Sequence, residues 1–168
     1  MPFTPVHFGP HACLGLPLQR SIDVPVFIAS NIAVDIEPLL VIVYGLHYPL
    51  HGYCHTFLIG SFVGLLFGLL AFPFRKVIGK AMLFLLLPYA PTLGKMVLSG
   101  ILGVWLHIFF DAPLYIDIKP FYPLSGNPFL DIVSMKVLYG ACALLVVPAL
   151  VIYLALVLPR KAGIEKAS

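Results

Sequence analysis

Residues 55–73 read HTFLIGSFVGLLFGLLAFP, and this stretch decides the fold. It holds no Asp, Glu, Lys or Arg, and at 1.5 Å per residue its length matches the roughly 30 Å hydrocarbon core of a bilayer. A run this apolar is a membrane span, and within lipid a helix satisfies its own backbone hydrogen bonds. The rest of the chain agrees. Of its 168 residues, 61% are hydrophobic and 10% charged, against about 25% charged in soluble domains. The chain therefore reads as all-α, a polytopic membrane helical bundle forming a single domain over residues 1–168.

Outward from that stretch, residues 96–113 and 137–158 are further apolar spans. Residues 24–45 are long enough but carry Asn31, Asp35 and Glu37. Pro38 disfavours helical geometry at Glu37 and predicts a break in this span. Residues 5–19 are short for a span and are expected either to cross as a short N-terminal helix, bringing the spans to five, or to lie in the interface. Residues 81–91, ending in two prolines, are too short and are expected to re-enter or to pack beneath the bundle. The first twenty residues lack the basic-then-apolar pattern of a cleavable signal, so the N-terminus is expected to be retained. Cys13, Cys54 and Cys142 form no C-x-x-C pair and read as small buried hydrophobes.

Basic residues orient the spans. Arg20, the group Arg75, Lys76, Lys80 and Lys95, and the group Arg160, Lys161 and Lys166 fall on one side; the 46–53 segment has no Lys or Arg and the 114–135 segment only Lys119. The positive-inside rule then gives an N-terminus outside and a C-terminus inside a cell (inner) membrane, with Lys136 the one base at an outer helix end. This charge reports orientation, and no nucleic-acid partner is expected. The 114–135 segment, rich in Pro, Gly, Asn and aromatics, is expected to form an ordered cover.

With that orientation the ionisable residues share one depth, near the outer surface. His7, Asp35, His51, His55, His107 and Asp111 come from four separate segments, with Glu37 and Asp117 beside them. Positions four apart lie on one helix face, which pairs His51 with His55 and His107 with Asp111. An Asp near the centre of a span costs roughly 2.5–3.5 kcal/mol on insertion scales, so Asp35 calls for a partner. His11 and His47, taken singly, read as packing or interface residues.

Imidazole with carboxylate suits Zn²⁺, with Mn²⁺ or Fe²⁺ as alternatives, better than calcium. Six candidate ligands exceed the three that hold one catalytic zinc. Two metals, or one metal with carboxylates behind its imidazoles, are both open. A metal-dependent hydrolase of the membrane interface follows, with Glu37 or Asp117 as general base and an ester, phosphoester or amide of a lipid or headgroup-level substrate as target. The alternative is a small metal or proton transporter, or a metal-binding protein, using the same groups. A structural membrane protein with satisfied polar packing would bind no metal. HIFFD alone has the His-x-x-x-Asp spacing of lipid phosphatases, but their Pro-Ser-Gly-His and Ser-Arg elements are missing, as are a G-x-S-x-G elbow and a Walker A loop. His55 and His107 could serve as bis-histidine haem ligands, against which the surrounding carboxylates argue.

The motifs MPFTPVHFG, NIAVDIEP, YPLHGYCHTFLIG and HIFFDAPLYIDIKPFYPLSGNPF, spread over residues 2 to about 130, together resemble the membrane-bound metal-dependent hydrolases, an inner-membrane family with a LexA-associated type. The resemblance implies a metal site built on His7, Asp35, His51, His55, His107 and Asp111. Two departures stand out: Gly52 where a basic residue is expected after the first histidine of the pair, and Tyr115 where relatives often carry a His. The second removes a ligand from any second metal position.

Overall fold

The computed structural model describes residues 7–165, with side chains through Lys161. Residues 5 and 6 of the expected first span, and Lys166, lie outside the described residues. Among those described the structure is helical, without strands: α1 (Phe8–Gly15), α2 (Val24–Val34), α3 (Ile36–Tyr44), α4 (Phe57–Ala71), α5 (Arg75–Phe84), α6 (Leu93–Asp111), α7 (Met135–Leu144) and α8 (Val146–Glu165). Four helical runs are long and apolar enough to cross a membrane: Val24–Tyr44, Phe57–Phe84, Leu93–Asp111 and Met135–Lys161.

The expected break before Pro38 is present. α2 stops at Val34, Asp35 stands between the helices, and α3 carries Pro38 in its first turn, where the missing N–H and the ring are tolerated. The same device recurs unannounced in the last span, where Leu145 separates α7 from α8 and Pro148 sits in the first turn of α8.

Two expectations change. The N-terminal helix is eight residues long, about 12 Å, too short to cross; a turn begins at Leu16, and Pro17 has no N–H with which to continue the helix. α1 packs between α2 and α8 with one face buried. Residues 75–84, whose bases stand after the 55–73 span, do not form a loop between spans but continue as helix: a 3₁₀ turn at Phe72–Phe74 accommodates Pro73 and joins α4 to α5, so Arg75, Lys76 and Lys80 lie on a helix. Residues 81–91 do lie beneath the bundle. Met82 and Leu87 are buried against Leu16, Val24 and Val157, closing one end.

Burial shows which helices are central. In the most apolar windows, 44% of the α2–α3 run and 39% of α6 are buried, against 17% of the α4–α5 and α7–α8 runs. The outer helices direct Phe62, Leu66 and Leu70, and Val147, Val151 and Leu158, away from the protein, as a surface solvated by lipid requires. Within the bundle, contact relies on small residues, since lipid tails supply no hydrophobic drive for helices to associate. α4 and α6 touch backbone to backbone at Gly64 and Gly100: a Cβ at residue 64 would lie 2.5 Å from the Gly100 carbonyl oxygen.

The segment between α6 and α7 is the ordered cover its composition predicts. The Asn127 amide donates to the Ala112 carbonyl (2.6 Å), the Phe57 N–H donates to the Pro120 carbonyl (2.8 Å), and Ile118 is fully buried. Gly64→Ala is expected to lower stability by about 1–3 kcal/mol, whereas Gly140→Ala, with no atom near its new methyl, should stay within about 1 kcal/mol of the parent. Unfolding in detergent micelles checks this; equal effects from the two substitutions would contradict the close α4–α6 contact.

Candidate metal centre

Three breaks in regular structure deliver the site. Asp35 stands at the α2–α3 break. His107 and Asp111 occupy the last turn of α6, four residues apart on one face. His55 ends a 3₁₀ turn, Tyr53–His55, just before Thr56, whose hydroxyl caps α4 by accepting from the Ile59 N–H (3.1 Å). Asp35, His55, His107 and Asp111, all buried, each offer one ligand atom, and these atoms lie within 4.8 Å of one another. This group could hold a metal ion.

The orientation of the rings is as informative as their proximity. His55 Nδ1 faces Glu37 Oε2 at 3.2 Å, and His107 Nδ1 faces Asn31 Oδ1. Both partners are oxygens that only accept, so each Nδ1 carries a proton, and in the neutral ring Nε2 is then the nitrogen free to ligate an ion. Those Nε2 atoms turn inward and find no hydrogen-bond partner. Among the described residues, eight buried side-chain nitrogen or oxygen atoms lack one, and five belong here: His55 Nε2, His107 Nε2, Asp111 Oδ1 and both ring nitrogens of His7. His107 Nε2 does lie 3.0 Å from Asp111 Oδ2 and 3.4 Å from Asp35 Oδ1, but neither approach has hydrogen-bonding direction. Imidazoles fixed from behind, with bare nitrogens pointing at carboxylates, are the arrangement of metal-ligating histidines. The donor set fits a transition-metal ion.

His7 adjoins the four, its Nε2 3.5 Å from Asp111 Oδ1 and its ring 5.0 Å from that of His107. Burial, partly offset by Asp111, pushes its pKa down to about 4, so at neutral pH it is an uncharged imidazole. His51 stands one layer out. Its backbone N–H donates to Asp117 Oδ2 (2.8 Å), its Nδ1 lies 3.1 Å from Asp117 Oδ1, and its ring is 4.8 Å from that of His55 and 4.1 Å from that of Tyr115. Burial and the neighbouring His55 lower the pKa of His51. Burial alone would raise that of Asp117, but the bonds from His51 outweigh it and the carboxyl is lowered.

His51 and His55 do not share a helix face, as their spacing had implied, because α4 begins only at Phe57. The reason is Glu37. Its carboxylate accepts from the N–H groups of Gly52 (3.1 Å) and Cys54 (3.1 Å), from His55 Nδ1 and from the Tyr48 hydroxyl (3.3 Å). These bonds pin residues 52–55 as a 3₁₀ turn, closed by the His55 N–H on the Gly52 carbonyl (3.3 Å) and followed by extended Thr56. Asn31 is the site residue whose role sequence reasoning missed; it lies four before Asp35 and therefore on the same face of α2. His11 bridges helices, its ring nitrogens 2.7 Å from the His7 carbonyl oxygen and 3.0 Å from that of Gly103. His47 is exposed.

No family model, no curated protein and no solved structure matches this chain.

Proposed function

We propose that this protein is a metal-dependent hydrolase of the membrane interface, of the kind its motifs resemble. The observation that carries the reading is the convergence of unpartnered His55 Nε2, His107 Nε2 and Asp111 Oδ1 on one buried point beside Asp35. Two carboxylates and neutral imidazoles balance the charge of a divalent cation, and two nitrogen with two oxygen donors favour Zn²⁺, with Mn²⁺ or Fe²⁺ as alternatives. Such an ion supplies Lewis acidity and lowers the pKa of a bound water toward neutrality.

The remaining steps belong to the chain's own residues. Glu37, its acceptor sites filled by Gly52, Cys54, His55 and Tyr48, positions His55 rather than moving protons. Asp117 does the corresponding work for His51: by holding Nδ1–H it leaves Nε2 as the basic atom. His51 lines a cleft with Asp117, Lys119 and Tyr122, where it takes a proton from water as the new bond to carbon or phosphorus forms. It then returns that proton to the departing oxygen or nitrogen. Arg75, Lys76 and Lys80 lie on α5, beyond the end of α4 that is remote from His55, and Lys95 is in the first turn of α6, whose other end carries His107 and Asp111. Basic residues at the end away from the site support a site on the extracytoplasmic side of an inner membrane.

Purified protein is expected to hold about one divalent metal ion, as a four-ligand site does. His55→Ala and His107→Ala should lose it, while His51→Ala should keep it and lose about 10²–10⁴-fold in turnover of nitrophenyl esters, phosphodiesters or anilides. A chelator should abolish turnover and zinc restore it. Metal-stimulated ion uptake into proteoliposomes without hydrolysis would replace this reading by transport, and full metal retention in both ligand variants would end it. Asn31→Leu, which removes the acceptor behind His107, is expected to weaken metal affinity about 10–100-fold; affinity unchanged in a competition titration would remove Asn31 from the site.

A further inference from the structure

Two depressions meet at Tyr48. On one side a groove of about 420 Å³ is walled by Ala33, Leu40, Val41, Leu46 and Val63, with Glu37 at its polar end. On the other a cleft of about 280 Å³ is walled by His51, Tyr53, Asp117, Lys119 and Tyr122. The Tyr48 ring belongs to both walls. It is fixed there, because its hydroxyl donates to Glu37 Oε1 and accepts from the Tyr53 N–H (3.1 Å). Its ring also lies so close over residue 52 that a Cβ there would collide with it, and only glycine leaves the room.

The two depressions differ in chemistry. The groove is apolar apart from Glu37, and its neighbours on α3, Ile42 and Val43, are exposed, so it opens where hydrocarbon is the solvent. The cleft carries one cation, Lys119, which among the described residues makes no ion pair with Asp117, whose ion pair is with His51. It also carries the phenols of Tyr53 and Tyr122. Between them stand Glu37 and His51, which flank His55. A molecule with an apolar tail in the groove and an anionic head in the cleft would place the bond joining them beside the metal centre.

We propose that the groove and the cleft together bind one amphiphilic lipid with an anionic headgroup, its chain along Leu40 and its head at Lys119, with the Tyr48 ring as the sill between them. This names the substrate class of the hydrolase and rests on that reading. The headgroup is a phosphate or a carboxylate; Lys119 recognises the charge both share.

The test is calorimetric titration of the full chain in neutral detergent with lauroyl lysophosphatidic acid, beside lauroyl lysophosphatidylcholine, glycerol 3-phosphate and lauric acid. The lysophosphatidic acid should bind with one equivalent. Glycerol 3-phosphate should bind at least about tenfold more weakly, since each buried CH₂ contributes about 0.8 kcal/mol, and the zwitterionic lipid about fivefold more weakly, as an exposed charge pair contributes. Lys119→Ala should erase the preference for the anionic lipid, and Leu40→Trp, which fills the groove, should block every chain-bearing ligand, both with metal content unchanged. Lauric acid binding as tightly as the lysophosphatidic acid would assign the head site to carboxylates. Glycerol 3-phosphate matching the lipid, or both variants binding like the parent, would overturn the proposal. Because binding is read without turnover, lipid selectivity in a protein that hydrolyses nothing would sink the hydrolase reading alone. Metal-dependent turnover without lipid selectivity would sink this one alone.

Discussion

Burying a polar atom without a partner costs roughly 1–3 kcal/mol by mutational measures, and this protein does so five times in one place, at the ring nitrogens of His7, His55 and His107 and at Asp111 Oδ1. Elsewhere among the described residues only Gln19 Oε1, Asp23 Oδ2 and the Tyr89 hydroxyl are in that position, while Thr56 and Thr92 cap helices, Asn127 braces the segment before α7, and Glu37 is filled with donors. The concentration of unmet atoms at one point, with Asn31 and Glu37 turning the outer nitrogens of His107 and His55 away from it, is what a bound cation would resolve. The inward nitrogens face the carboxylates of Asp35 and Asp111 without hydrogen-bonding geometry, a spacing that leaves room for an ion between them.

The scaffold can be understood from that requirement. A continuous α2–α3 helix would carry Asp35 past the site within an unbroken hydrogen-bond ladder; the interruption before Pro38 places it at a helix junction beside Glu37. α6 ends at the cluster, so its last turn supplies two ligands from one face, while α4 starts there and leaves His55 in the turn before its cap. The near-contact of Gly64 with Gly100 holds α4 and α6 close enough for His55 to reach Asp35 and Asp111. Away from this end α4 and the greater part of α8 are apolar toward the surroundings, and the bases of α5 stand at the opposite end from the cluster.

Much of this was legible in the sequence, for identifiable reasons. Uninterrupted apolar length marks spans regardless of tertiary detail, and the cost of Asp35 in a span announced a partner before any geometry was known. The His107–Asp111 pair was readable because both lie well inside a helix, where spacing fixes the face. The spacing of His51 and His55 misled for the opposite reason: whether residues 51–55 are helical depends on the claim that Glu37, fourteen or more positions earlier, makes on the backbone of Gly52 and Cys54. Tertiary hydrogen bonds of that kind leave no local mark. Pro73 and Pro148 show a related limit. A proline can end a helix, start one or sit in a 3₁₀ joint, and only the packing of neighbouring segments selects among these. The first helix was legible as short, but not its extent or place: Pro17 limits it, and packing against α2 and α8 buries one face of Phe8–Gly15.

The central claim is that two imidazole Nε2 atoms and the carboxylates of Asp35 and Asp111 bind one ion. X-ray absorption at the zinc edge of the desalted, zinc-loaded protein tests it most directly. The account predicts about one tightly held ion with two imidazole nitrogens and oxygen donors at about 2.0–2.2 Å; a shell of oxygens without imidazole scattering, or no ion surviving desalting, would contradict it.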